Sequence, residues 1–144
     1  MMDLSEPLRT AIIGNAAITG ILSIYAGAPA AFTRAPLPAD ALYPLIVISP
    51  DIVFSDVDGL TARRNNVVRD ISVYGQNDTP QHYRAVETLA YLVRDLFHRQ
   101  NQSISIAGFR VIDIVAAGPI PAPVDDDQDV GRLVTLTIRA EPTS

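Results

Sequence analysis

Hydrophobic positions recur along this chain with two different periods. Tyr83, Val86, Leu89, Ala90, Val93, Leu96 and Phe97 follow one another at helical spacing, while Arg84, Glu87, Arg94 and Asp95 lie largely off that stripe. Asp78 or Thr79 stands ahead as a cap, Pro80 occupies the first turn, and Gln81 can close a capping box with Asp78. The pattern predicts a helix over 79–100, about 33 Å long at the ~1.5 Å rise per residue. A single apolar stripe of this kind covers one face of a sheet. The segment RLVTLTIRA alternates instead, with Val134, Leu136, Ile138 and Ala140 on one side and Thr135, Thr137 and Arg139 on the other, which predicts a half-buried strand.

The middle of the chain reads as a long hairpin. LIVIS (45–49) is a buried strand, Pro50 interrupts it, and DIVFS continues the ribbon after a bend, since proline is tolerated at edges and bulges. DVDGLTARRN is a polar turn and NVVRDISVYG returns as the partner, placing Val67, Ile71 and Val73 on one face and Asp70, Ser72 and Tyr74 on the other. The hairpin proper spans 51–66 and has a charged tip. Further on, Ile104 and Ile106 make a short strand, and FRVIDIVAAG (109–118) is a mixed strand containing Asp113. Two proline-rich stretches separate these elements. Residues 26–44 hold Pro29, Pro36, Pro38 and Pro44 and are expected to form an extended arm or loop, because proline lacks a donor and fixes its own backbone. Residues 119–131, PIPAPVDDDQDVG, form an acidic connection. No internal repeat is visible.

The expected fold is therefore α+β. It has an antiparallel or mixed sheet of about four strands with a long hairpin, packed on one face by an N-terminal helix and one long central helix. The whole chain, 1–144, is one domain.

The N-terminal helix needs separate argument, because no charge occurs from Thr10 to Thr33. This run is long enough to span a bilayer. Asn15, Thr19 and Ser23 interrupt it, however, three glycines loosen it and Pro29 ends it. A secretion signal opens on a basic region, whereas this chain opens on Asp3, Glu6 and Pro7 around a single Arg9; AGAPAA alone has the look of a cleavage site. The reading that fits is a broken helix pair on a core. Ser5 caps a helix with Glu6 and Pro7 in its first turn, Leu8, Ile12 and Ile13 share a face, and Ile18, Ile21 and Leu22 follow on a second short turn. No membrane association is expected.

Composition narrows the chemistry further. With 11 basic and 16 acidic residues the formal charge is −5, which opposes binding to duplex nucleic acid through its phosphates. All the basic residues are arginine, suited to planar ion pairs at subunit contacts. The chain has no cysteine, which removes disulfides, thiolate metal sites and cysteine catalysis. A domain of 144 residues can bury roughly two-thirds of its unfolded surface, so it can form a core unaided.

Candidate sites each have an ordinary explanation. Asp125, Asp126, Asp127 and Asp129 are dense enough in oxygen ligands for calcium, but they lack the glycine turn and closing glutamate of a calcium loop, and adjacent carboxylates usually stay solvated. Asp56, Asp58 and Gly59 imitate only a fragment of such a loop and read as a turn. His82 and His98 lie on one helix beyond each other's reach and read as surface histidines. Asp113 is either a shifted carboxylate or an edge-facing or paired one. No nucleophile elbow and no glycine-rich phosphate loop occurs. The expectation is no enzyme, no cofactor and no metal; a small ligand-binding or hydrolytic α+β domain using Asp113 or a histidine is the alternative from another class.

The succession MDLSEPLRTAI, SIYAGAPAAF, YPLIVIS, DGLTARRNNVVRDISVYGQND and AVETLAYLVRDLF, closed by a strand pair around an acidic turn, covers nearly the whole chain. In this it resembles the tail-completion or tail-terminator proteins of long-tailed bacteriophages and gene transfer agents. The resemblance implies a homo-oligomeric ring, commonly a hexamer, at the head-proximal end of the tail tube. Such a ring ends tube polymerisation, meets the tail tube protein on one side and the head-tail connector or stopper on the other, and lets DNA through its lumen without specific binding. A head-completion or stopper protein of the neck is the neighbouring alternative. A ring closes through head-to-tail contacts, which arms and protruding hairpins supply. On that ground Phe32 and Arg34 of the arm and Phe54, Asp56, Asp58, Arg63 and Arg64 of the hairpin are expected at subunit or partner contacts. Asp125, Asp126, Asp127 and Asp129 are expected on an acidic lumen or against an adjoining ring.

Overall fold

The computed structural model describes residues 4–33, 42–49, 53–58, 63–76, 79–122 and 129–143, with the backbone alone for 53–58, 63–65 and 129. Two helices open the chain, α1 (Ser5–Ile13) and α2 (Ala16–Thr19). Short strands follow: β1 (Ile24–Tyr25), β2 (Ala28–Pro29), β3 (Ala31–Phe32) and β4 (Leu45–Ile48). The hairpin is β5 (Val53–Asp58) and β6 (Arg63–Gln76), then come helix α3 (Pro80–Phe97) and the strands β7 (Phe109–Pro121) and β8 (Asp129–Pro142).

The main sheet has six strands in the order β3-β4-β6-β8-β7, with β5 also on β6; β1 and β2 form a separate two-stranded sheet. The α+β class and the helices on one face agree with the sequence reading, but the strand count exceeds the expected four. The surplus in this sheet is β3, which lies within 26–44, and the 45–58 ribbon, which forms two strands, β4 and β5. Ala31 and Phe32 pair in parallel with Ile46 and Val47, so part of the proline-rich stretch joins the sheet instead of lying over it. The remainder of that stretch, 34–41, lies outside the described residues. The acidic connection is also shorter than 119–131, since β7 runs on to Pro121 and β8 starts at Asp129.

β4 and β5 lie end to end along the same edge of β6. β4 pairs with 71–74 and β5 with 63–68, both antiparallel, which is the interrupted ribbon expected around Pro50. Arg69 stitches the interruption. Its Nε donates to the Ser49 carbonyl at 2.8 Å and a terminal nitrogen donates to Ser5 Oγ at 3.0 Å. Ser49 Oγ in turn accepts from the Asp70 amide at 2.9 Å. Arg69 stands on the inward side of β6 with Val67 and Ile71, and it is the one buried charged residue among those described. Burial of this kind is tolerated because hydrogen bonds replace the lost water.

Alternation along β8 is as expected: Val134, Leu136, Ile138 and Ala140 are buried. They join Val67, Ile71 and Val73 of β6 and Ile114 and Ala116 of β7 in one core with Val86, Leu89, Ala90, Val93 and Phe97 of α3 and Leu8 and Ile12 of α1. Each fully buried Leu, Ile or Phe contributes roughly 1.5–3 kcal/mol. Helix α3 is about 27 Å long at ~1.5 Å per residue, shorter than expected because His98 leaves helical geometry. Thr79 is its cap, its hydroxyl accepting from the His82 amide at 3.1 Å; Asp78 lies outside the described residues. Gly75 lets α3 approach the sheet, since a Cβ there would lie 2.3 Å from Val86 Cγ2.

Ser5 does not cap α1. The cap position is Leu4, without a side-chain bond, and the Ser5 hydroxyl receives Arg69 instead. The break between the first two helices has its own cap, Asn15, whose side chain accepts from the Ile18 amide at 3.1 Å. No helix among the described residues is long and apolar enough to cross a membrane.

Candidate assembly surfaces

The hairpin residues singled out in the sequence fall together on one ribbon. The register sets Asp58 opposite Arg63, Val57 opposite Arg64, Asp56 opposite Asn65 and Phe54 opposite Val67. Phe32 stands apart, on β3 beyond β4. Its ring meets Tyr25 edge-to-face with centroids 5.6 Å apart, so it fastens β3 to the β1–β2 ribbon. Arg34, Asp125, Asp126 and Asp127 lie outside the described residues. Asp129 opens β8 opposite Gln76.

The far edge of the sheet is β7, a long strand that would otherwise offer its backbone to any passing chain. The end of α3 covers its middle. The Arg99 amide donates to the Ile114 carbonyl at 2.8 Å, and the Ala116 amide donates to His98 Nδ1 at 3.1 Å. The Arg99 guanidinium also pairs with Asp113 at 2.7 Å. His98 is thus a half-buried structural plug rather than a surface histidine, and Asp113 is a paired carboxylate. Two register shifts, between Val111 and Asp113 and between Ala117 and Ile120, further spoil β7 as a template. The sequence could have signalled this role through the apolar end of α3 followed directly by His98 and Arg99, but not the partner strand.

At the other end of α3, Arg132 of β8 pairs with Glu87 at 2.7 Å and donates to the Tyr83 hydroxyl, its guanidinium carbon 5.2 Å from the centre of the Tyr83 ring. This half-buried cluster ties helix to sheet.

A groove of about 480 Å³ runs between α2 and the second half of α3, lined by Ala17, Leu92 and Leu96 together with the polar Asn15, Asp95 and Gln100. Its hydroxyl, Ser103, donates to the Gln100 carbonyl at 2.7 Å and has no histidine beside it in the groove lining. His82 borders a smaller cavity of about 80 Å³ with Tyr43, Pro44 and Gln76. Among the described residues no three His, Cys, Asp or Glu side chains gather closely enough to hold a metal ion.

The sheet face turned away from the helices carries the positions that alternate with the core, and at its β4 end Leu45, opposite Tyr74, is buried. Here Val68, Ser72, Thr135, Thr137, Val115 and Ala117 alternate with the buried positions, and all but Ala117, which is exposed, are partly accessible. Asp70 lies among them and accepts from Thr135 Oγ1 at 2.7 Å.

No family model matches this chain, and no curated protein does. Among solved structures, the fold is similar to that of a chain in the virion of a native gene transfer agent particle, with a TM-score of 0.75 at 14% identity over 96% of this chain and 94% of that one.

Proposed function

We propose that this chain is a structural component of a phage-like particle and, within it, the tail terminator. It forms a homo-oligomeric ring at the head-proximal end of the tail tube, ends tube polymerisation and joins the tail to the connector or stopper. One observation carries the reading: a chain of a gene transfer agent virion shares this fold from end to end, with almost nothing left over on either side. The succession of sequence segments supplies the narrower tail-terminator assignment. In this reading the protein acts by assembly and turns over no substrate. The acidic run of Asp125, Asp126, Asp127 and Asp129 faces the lumen or the adjoining ring, where like charge keeps DNA from sticking.

The test is deletion of the gene in a particle-producing host. Expected are tails of unregulated length or heads without tails, restored by the gene in trans, together with binding of the purified protein to one end of isolated tubes in electron micrographs. Normal particles without the gene, or no binding at tube ends, would refute it. For the acidic run, replacing the four aspartates by asparagine is expected to impair ring docking or DNA passage; normal assembly and ejection would remove that assignment.

A further inference from the structure

We propose that His98 and Arg99 form a proton-operated clasp on the outer edge of β7: protonation of the His98 imidazole releases the Ala116 amide and lays that length of the strand edge open. The clasp goes beyond the assembly role above and does not depend on it.

The geometry fixes the form of the imidazole that the fold needs. The Ala116 amide donates to His98 Nδ1 at 3.1 Å. A ring nitrogen that accepts a hydrogen bond carries no proton, so the ring is neutral with its proton on Nε2. A second proton can only go to the lone pair that Ala116 already uses. Protonation therefore sets a donor against a donor, and the bond is lost. Histidine is the side chain whose ordinary proton equilibrium falls between pH 5 and 8. The bond stands while Nδ1 is bare at neutral pH and is lost as acid fills it.

The surroundings offer the imidazolium no replacement partner. The ionisable groups on the elements around it are Arg94 and Asp95 in the last turn of α3, Arg99 next in sequence and Asp113 on β7. Asp113 is committed to Arg99 at 2.7 Å, and Asp95 lies 3.9 Å from Arg94. Neither α2 nor 100–108 carries an ionisable side chain, and β8 presents Leu136 opposite Ala116.

The same turn makes a second bond, from the Arg99 amide to the Ile114 carbonyl at 2.8 Å. Together the two residues fill an outward amide and an outward carbonyl of β7, as a neighbouring strand would on an edge otherwise open to pairing. Arg99 does so at a φ of 58°, a left-handed backbone that residues with a side chain rarely adopt. Contacts to the strand must sustain that conformation. Losing the His98 bond removes one of them, so the clasp is poised to open.

Amide hydrogen exchange of the full-length protein, followed by NMR and corrected for the intrinsic rate at each pH, reads the clasp at Ala116. Its protection is expected to fall by about tenfold or more between about pH 7.5 and about pH 5.5, while Leu136 keeps its own and shows that the fold is intact. His98→Asn puts an amide oxygen near the place of Nδ1 and is expected to hold its protection at both pH values. His98→Leu is expected to lack it at both, and His82→Asn to respond as the parent does, with circular dichroism confirming folding throughout. Ring nitrogen shifts of His98 are expected to report the proton on Nε2 at neutral pH. Equal protection of Ala116 in the parent at both pH values would overturn the inference. So would a leucine variant as protected as the parent, an asparagine variant that loses protection on acidification, or a neutral ring carrying its proton on Nδ1.

Discussion

Gly75 offers the sharpest test of how α3 sits on the sheet. An alanine there would place its Cβ 2.3 Å from Val86 Cγ2, whereas ordinary contact begins at about 3.4 Å, so the two must part by about 1 Å. Val86 has no room to yield. It is fully buried on the sheet side of α3, and a β-branched side chain in a helix has one strongly preferred rotamer. Overpacking of this kind costs about 1–3 kcal/mol. The sign is informative, because exchanging glycine for alanine at an unstrained position stabilises by ~0.4–1 kcal/mol through the unfolded chain. Val86→Ala alone removes two buried methyl groups and costs about 2 kcal/mol with its cavity. In the double variant the new methyl occupies part of that cavity. Urea unfolding of the four proteins, at one oligomeric state, is expected to give a coupling of about 1–2 kcal/mol in favour of the double variant. Additivity within ~0.5 kcal/mol would refute the close approach.

Arg69→Met keeps most of the side-chain volume but leaves the Ser49 carbonyl and Ser5 hydroxyl without these donors; a loss of about 2–3 kcal/mol is expected, read as a fall in melting temperature of about 6–10 °C, and a Met variant as stable as the parent would show that the two bonds contribute nothing net. Thr79→Ala removes the cap of α3 and is expected to cost ~1 kcal/mol in a denaturant titration, with Thr79→Ser recovering most of it. Gly118→Ala forces a side chain into a backbone with φ of 105°, with its Cβ 2.7 Å from the Leu133 carbonyl; a loss of more than about 2 kcal/mol is expected by thermal melting, and a neutral result would mean that the bulge before Ile120 relaxes freely.

The sequence was most legible where one period ran long enough to leave a single choice. The α3 stripe identifies every buried residue of that helix, and the β8 alternation places Val134 to Ala140 correctly, because both faces of each element repeat several times. The hairpin was legible as a hairpin, but its turn is shorter than DVDGLTARRN, because 56–58 and 63–65 are paired strand. Arg69 carries the same signal: the alternation that puts Val67, Ile71 and Val73 inside puts position 69 inside as well. β1, β2 and β3 were illegible, since a strand of two residues has no period. The proposed contact sites were less legible still, because Phe32 is as well suited to meeting Tyr25 as to meeting a neighbour.

The chain's own pattern thus determined the class of fold, the main helix and the long strands, since local periodicity and the removal of apolar surface from water point the same way there. Only the tertiary structure decided what the ends and edges do. It set β3 parallel to β4, sent Ser5 to Arg69 rather than to a helix cap, and turned His98 and Arg99 onto β7. Each of these is a bond between groups far apart in sequence, chosen by which unsatisfied donor and acceptor the packed core happens to bring within reach.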